Sequence, residues 1–322
     1  MSTSDQYRDD YAFTAEDNRA VAYDEQMYSG ALSFCRRRYA RGLEGVDLAV
    51  VGVPFDTAVS NRPGCRFGPR AVRAASTNLA WSRAWPSDFD PFQRMSVVDW
   101  GDITWDAGRP AEVPGIIEAA LTAIHTDGPA TLCIGGDHFI SYPALKAHAT
   151  RHGDGLSLIQ FDAHSDTWGS DESGRIDHGT MFRRAAEEGL IDPARSIQVG
   201  LRTTNDTPMG FEIRDANWIL ENGIDATVAE IRNVVGDNRC YMTFDIDCLD
   251  PAYAPGTGTP VCGGPSTWQM KEILRRLNSI DLVGMDLVEV GPAYDHAEIT
   301  ALAGATLALE MICLYARCRG RA

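Results

Sequence analysis

The chain has 322 residues, and its 45 Asp and Glu against 29 Lys and Arg give a formal net charge of −16. This acidity argues against a nucleic-acid or membrane partner, because anionic phosphates are bound through stripes of Lys and Arg, and it favours cationic small molecules. The first 20 residues are polar and acidic, unlike a signal peptide, and the eight cysteines show no paired spacing. We therefore expect a soluble, cytoplasmic protein with reduced thiols and no disulfide framework.

The chain begins with a segment that shows no strand alternation and ends in a basic run, so we expect an N-terminal arm of about 45 residues. Eight short apolar runs follow it. Most of them are apolar at consecutive positions, which is typical of strands buried on both faces of a sheet. The predicted strands span residues 47–53, 95–99, 130–135, 156–162, 195–201, 211–215, 240–247 and 282–290. The predicted helices span residues 114–127, 226–236, 266–278 and 299–318.

This alternation of strands and helices predicts an α/β fold, with three α/β/α layers around a mostly parallel, doubly wound sheet of eight strands. No linker rich in Ser, Gly and Pro interrupts the chain, so residues 1–322 are expected to form one domain that includes the arm. The last helix is apolar enough to suggest a membrane span. Glu310 and Arg317 interrupt it, and we interpret it as a core helix.

Three of the predicted strands end in side chains that bind metal ions. The candidate ligands are His138, Asp162, His164, Asp166, Asp245 and Asp247. Residues two apart in a strand point the same way, so the ligands within DAHSD (162–166) and within DID (245–247) are expected to form rows. Carboxylates crowded at strand ends repel one another unless a cation lies among them. Carboxylates with imidazoles and no thiolate favour Mn²⁺ or a similar hard cation over structural zinc. The pattern predicts a two-metal hydrolytic centre that generates hydroxide from water.

The chain resembles the ureohydrolase family in five segments. These are GGDH at 135–138, DAHSD at 162–166, DHGT at 177–180, TFDIDCLDPAYAPGTGTP at 243–260 and DLVEVGPAYD at 286–295. The family joins arginases, agmatinases, guanidinobutyrases and proclavaminate amidinohydrolase, which cleave a guanidinium to release urea. Segments at 76–81, 177–182, 189–193 and 298–311 resemble the agmatinase branch most. The resemblance implies an arginase-like fold, two Mn²⁺ per chain and a homotrimer or homohexamer.

The resemblance also implies a role for each candidate site residue. The implied ligands of one manganese ion are His138, Asp162, Asp166 and Asp245. Those of the other are Asp162, His164, Asp245 and Asp247, so that Asp162 and Asp245 would bridge the two ions. His178 matches the proton-shuttling histidine of the family, and Glu289 matches its guanidinium-binding glutamate. Strand alternation would place Glu289 on the same face as Leu287 and Met285.

Agmatine is the expected substrate, with putrescine and urea as products. The stretch 167–177 contains no Asn, whereas arginases recognise their amino-acid substrate partly through an Asn/Ser-rich stretch here, so a free α-amino acid is disfavoured. Asp171, Glu172 and Asp177 would suit the terminal amine of agmatine, and Arg175 leaves 4-guanidinobutyrate open. Two further alternatives are a deacetylase-like amidohydrolase with one zinc ion and a metal-dependent binding protein without activity.

Overall fold

The computed structural model describes residues 26, 28–81, 83–126, 128–169 and 174–320. Its eight strands are β1 Leu48–Val53, β2 Val97–Asp102, β3 Ala130–Gly135, β4 Ser157–Phe161, β5 Ile197–Val199, β6 Glu212–Arg214, β7 Arg239–Asp245 and β8 Asp281–Val288. The α-helices in these ranges are α1 Gly68–Ser76, α2 Val113–Thr126, α3 Ser141–His152, α4 Met181–Glu187, α5 Ala216–Val235, α6 Thr267–Arg276 and α7 Ile299–Cys318. Most of the expected N-terminal arm, residues 1–25 and 27, lies outside the described residues.

The eight strands form one sheet in the order β2-β1-β3-β8-β7-β4-β5-β6, and every neighbouring pair is parallel. Side chains of successive strand residues enter different cores, as Val50 and Val51 of β1 do. One core packs the sheet against α1, α5, α6 and α7, and the other packs it against α2, α3 and α4. The predicted three-layer α/β/α architecture is confirmed.

Helix α7 is long and apolar enough to cross a membrane, but 83% of its most apolar window is buried inside the protein. Its one buried acid, Glu310, accepts a hydrogen bond from the guanidinium of Arg275 on α6 at 2.9 Å. A buried carboxylate with a charged partner avoids most of the cost of desolvation. These contacts agree with the interpretation of α7 as a core helix.

Three histidines cluster near the amino end of β3, far from the strand ends that carry the candidate ligands. Thr131 Oγ1 lies 3.3 Å from His125 Nε2 and 3.2 Å from His148 Nε2, and the His148 and His152 rings are stacked. Burial, followed by the positive charge of Arg151, lowers the pKa of His125 and that of His152 to about 4, and burial lowers the pKa of His148 well below its ordinary value. These imidazoles are therefore neutral in the folded protein at pH 7.

The cluster predicts loss of stability in mild acid. In the unfolded chain an imidazole binds a proton below about pH 6.5, whereas His148 in the folded protein does so only at much lower pH. The contribution of His148 to the free energy of unfolding is therefore fully present above about pH 6.5. It is lost as the pH falls below that value. A fully buried imidazole such as His148 makes the free energy of unfolding fall by about 1.4 kcal/mol per pH unit in this range. We expect urea denaturation of His148→Gln to show a shallower decline between pH 6.5 and 4.5. The exposed His296→Gln control should keep the wild-type slope, and an equal slope in both variants would contradict the assignment.

Candidate metal centre

The candidate ligands and Glu289 lie at or just beyond the carboxyl ends of four neighbouring central strands. His138 follows β3, Asp162 follows β4, and Asp245 is the last residue of β7; Glu289 follows β8, which lies between β3 and β7. The carboxyl ends of parallel strands meet at one edge of a sheet, so residues more than a hundred positions apart come together. The structure therefore gathers the six candidate ligands and Glu289 into one region.

The expectation of rows along strands is wrong. Strand β4 ends at Phe161, before the first ligand of DAHSD, and Asp247 lies in a 3-10 turn, Ile246–Cys248, rather than in β7. The backbone of Asp166 has φ +52°, in the left-handed region, which an extended strand does not adopt. Loops and a 3-10 turn, rather than strand alternation, therefore place the ligands that follow Asp162 and Asp245.

One group of ligand atoms surrounds the Nδ1 atom of His138. This nitrogen lies 3.0 Å from Asp162 Oδ2, 3.0 Å from Asp166 Oδ2 and 3.2 Å from Asp245 Oδ2. Two ligands at right angles, each about 2.1 Å from one octahedral ion, are themselves about 3 Å apart. All four residues are buried, and Nδ1 is a buried nitrogen without a hydrogen-bond partner among the described residues. These distances fit His138, Asp162 and Asp166 as ligands of one ion, and Asp245 as its fourth ligand stays a prediction.

A second group forms around the Nδ1 atom of His164. Asp247 Oδ2 lies 3.0 Å from this nitrogen, and Asp162 Oδ1 lies 3.5 Å from it. Asp162 therefore directs one carboxylate oxygen to each group. The second oxygen of Asp245 accepts the backbone N–H of Asp247 at 2.8 Å. The geometry fits a bridging role for Asp162, and the bridging role of Asp245 stays a prediction.

The buried carboxylates of the candidate metal centre need a positive charge among them to be ionised together. Burial lowers the pKa of His164, but the charges and hydrogen bonds of Asp247 and Asp162 raise it to about 12. Burial and the charge of Asp162 raise the pKa of Asp166 to about 6, and burial with the neighbouring carboxylates raises that of Asp245 well above its ordinary value. The four carboxylates cannot all ionise without a positive partner. Divalent cations would supply that charge, and hard carboxylate oxygens with imidazole nitrogens suit them.

The side of His138 that faces away from the carboxylates is also fixed. Its Nε2 lies 2.7 Å from Thr243 Oγ1, and the Thr243 hydroxyl in turn donates to Asp286 Oδ1 at 2.5 Å. Asp286 also accepts hydrogen bonds from Ser141 and Tyr241, both at 2.7 Å. A histidine that binds a metal through one nitrogen commonly donates from the other to such a partner, which fixes its tautomer and orientation. His138 has this arrangement.

His178 and Glu289 form a pair beside the ligands. His178 Nδ1 lies 2.9 Å from Glu289 Oε1, and the same oxygen accepts the backbone N–H of His138 at 3.0 Å. Burial lowers the pKa of His178, but the hydrogen bond and charge of Glu289 raise it to about 9. The second oxygen of Glu289, Oε2, is buried and accepts no hydrogen bond from the described residues. The carboxylate therefore has one accepting oxygen that the described residues leave unused.

Glu289 lies at the site, but the expectation that strand alternation places it there is wrong. Strand β8 ends at Val288, and Glu289 has φ +65°, so it begins a left-handed turn instead of continuing the alternation of Leu287 and Met285. Its backbone N–H donates to Gly136 O at 2.8 Å. This turn directs the side chain toward His178.

A cavity of about 350 Å³ opens over the ligands. Its walls include Trp168, Arg175, Asp177 and Thr259. Asp177 accepts from Arg175 at 2.9 Å with one oxygen and from the backbone N–H of Gly179 at 2.8 Å with the other, so its charge is already paired. Asp171 and Glu172, the other acids proposed for a terminal amine, lie outside the described residues.

Comparison with known proteins agrees with this geometry. The model of the Arginase family matches residues 46–313. The chain belongs to the arginase family. It is 53% identical over 291 residues to an agmatinase of Chromobacterium violaceum, with 90% of each chain covered. It is 49% identical to a crystal structure of a hypothetical agmatinase from Burkholderia thailandensis, with a TM-score of 0.91 and 94% of this chain and 97% of that chain covered. Proclavaminate amidino hydrolase from Streptomyces clavuligerus is 36% identical, with a TM-score of 0.86 and coverage of 91% and 100%.

Within this arginase-family fold, Arg202, which no sequence motif singles out, holds the loop that carries Asp247. All five N–H groups of Arg202 donate to backbone carbonyl oxygens at 2.6 to 3.1 Å. The accepting residues are Gly200, Asp247, Cys248, Leu249 and Val261. A guanidinium presents its donors in a planar fork that a lysine cannot reproduce. Thr259, which was not predicted as a site residue either, donates to Asp247 Oδ2 at 3.2 Å from the neighbouring loop.

We expect Arg202→Lys to weaken metal binding while the fold is kept. A lysine has at most three donors, so several carbonyls around Asp247 would lose their partner and the ligand would become mobile. Loss of a group that orients a ligand typically costs about 10- to 100-fold in metal affinity. Titration of the chelated protein with Mn²⁺ measures this change, and the exposed Arg195→Lys serves as a control. Equal affinity in the two variants would contradict the orienting role.

Proposed function

We propose that this arginase-family chain is an agmatinase, which hydrolyses agmatine to putrescine and urea at a centre of two divalent metal ions. One observation carries the proposal: Asp162 directs an oxygen to each of two ligand groups, and the His178–Glu289 pair lies beside them. The 53% identity to a protein named agmatinase supports the choice of substrate.

The chain's own residues suit hydrolysis of a guanidinium. When bound, two divalent ions would generate a nucleophile from water at neutral pH. Glu289 Oε2 has no hydrogen-bond partner in the described part of the chain and can accept N–H groups of the planar cation, an interaction that charge strengthens. As the guanidinium carbon becomes tetrahedral, the leaving amine needs a proton. His178 can donate that proton from Nε2, because Glu289 retains the proton on Nδ1.

We further propose two Mn²⁺ per chain, a cytoplasmic location and a homotrimer or homohexamer. The donor set of oxygens and imidazole nitrogens supports manganese over a structural zinc ion. All eight cysteines are free, which agrees with a reducing compartment. The proposed assembly rests on the family resemblance.

Guanidinobutyrase activity is a second candidate, because Arg175 lines the cavity and could pair with the carboxylate of 4-guanidinobutyrate. Its pairing with Asp177 lies against this, since the guanidinium charge is already neutralised in the structure. The overall acidity of the chain also favours the dication agmatine.

Urea release from agmatine, 4-guanidinobutyrate and arginine at equal concentrations tests the proposal. We expect the highest kcat/KM for agmatine, loss of activity after chelation and recovery with Mn²⁺. A preference for 4-guanidinobutyrate that Arg175→Gln removes would establish the second candidate instead. Counting metal ions per chain separates a two-ion centre from a one-zinc deacetylase-like site.

A further inference from the structure

Ser60 contacts Nε2 of His178, the nitrogen proposed to donate the proton, from a loop that carries no candidate ligand. This loop connects β1 to α1. Ser60 Oγ lies 2.8 Å from His178 Nε2, and the backbone N–H of Ser60 donates to the same nitrogen at 3.1 Å. On the opposite side of the ring, Nδ1 lies 2.9 Å from Glu289 Oε1. The imidazole is therefore held at both nitrogens, between a carboxylate and a serine.

The position of Ser60 is fixed by contacts on both sides of it. Asp137 Oδ2 accepts the backbone N–H of Ala58 at 2.9 Å, and Ala58 O accepts the backbone N–H of His178 at 3.4 Å. On the other side, Asn61 Nδ2 donates to Gly258 O at 3.1 Å. Ser60 itself is exposed and lines the cavity. The loop thus presents a solvent-accessible hydroxyl to His178.

The two nitrogens of His178 have hydrogen-bond partners of different kinds. Glu289 can only accept, so it keeps a proton on Nδ1, and protonation changes occur at Nε2. The backbone N–H of Ser60 can only donate, so it favours Nε2 without a proton. The Ser60 hydroxyl can do both: it donates to the neutral ring and, after rotation, accepts from the protonated ring. A hydroxyl at this position can therefore bond to Nε2 both before and after the ring gives up its proton.

We propose that Ser60 is a positioning residue that relays protons to His178, an inference that rests on the proposed ureohydrolase function. When the leaving amine departs, the Nε2–H bond breaks and a new N–H bond forms on the amine. Nε2 then takes the Ser60 hydroxyl proton while Oγ takes a proton from cavity solvent. The serine is regenerated, and one solvent proton has been delivered to the imidazole.

Kinetics of three variants test the relay. We expect Ser60→Ala to lower kcat about tenfold, the effect of one lost hydrogen bond, with KM within about twofold and metal content unchanged. Ser60→Thr keeps the hydroxyl and should restore kcat to within about threefold of wild type. Thr57→Ala, at an exposed position of the same loop, should keep kcat within about threefold. Unchanged kcat in Ser60→Ala, or an equal loss in all three variants, would overturn the proposal.

A measurement without turnover separates this inference from the proposed function. In protein loaded with diamagnetic Mg²⁺, the ¹⁵N resonance of His178 Nε2 should move toward that of a free neutral imidazole in Ser60→Ala and remain near wild type in Ser60→Thr. An unmoved resonance in Ser60→Ala would overturn the relay even if agmatine is hydrolysed. A wild-type protein that releases no urea would refute the function, while the shift would still report on the contact.

Discussion

Asp162→Asn is expected to lose both metal ions and to retain less than about 1% of the wild-type activity. The two oxygens of Asp162 face different ligand groups, so a neutral amide weakens both at once. The loss should exceed the 10- to 100-fold effect that is typical of groups that only orient a ligand. Metal content per chain after desalting, measured together with urea release, gives the result.

Two comparisons make the Asp162 experiment specific. His138→Asn removes a residue that faces one group only, so it should retain more metal than Asp162→Asn. The exposed Asp154→Asn changes the same net charge far from the ligands and should retain two ions and full activity. Equal metal content in Asp162→Asn and His138→Asn would exclude the bridging role of Asp162.

His178→Phe is expected to keep both ions and to lower kcat by about 10²- to 10⁴-fold, the usual contribution of a general acid or base. His178 contacts Glu289 and Ser60 and belongs to neither ligand group, so its removal should leave metal binding intact. Glu289→Gln should raise KM as well, because a neutral amide binds a guanidinium more weakly than a carboxylate does. Loss of metal from His178→Phe would instead make His178 a ligand.

Most strands were predictable because they are buried on both faces and therefore appear as continuous apolar runs, whereas β6 is only half-buried. All eight predicted strands are present, with ends shifted by a few residues. Helices α1, α3 and α4 were missed. Helix α3 is buried on most sides and carries Pro143 in its first turn, so it lacks the polar stripe that marks a surface helix. Gly223 interrupts α5, and only the half beyond it was predicted.

The meeting of the candidate site residues at one sheet edge could be predicted, but their detailed geometry could not. Asp162 follows β4 and Asp245 ends β7, and the apolar pattern marks both strands, so their meeting follows from parallel pairing. Ser60 and Arg202 lie in loops, and no periodicity relates them to partners more than 40 positions away. Contacts of this kind depend on tertiary packing, which a pattern read along one chain does not contain.

Asp166 and Glu289 both have a left-handed backbone conformation, which lowers stability at two residues that are proposed to function in the site. A side chain at such a φ value costs roughly 1 to 2 kcal/mol, and the rest of the fold must offset that amount twice. Glycine would relieve the strain at either position, but it would remove a carboxylate that the proposed centre needs. Selection for folding alone would favour glycine at both positions. If the proposed roles hold, these two carboxylates lower stability in return for chemistry.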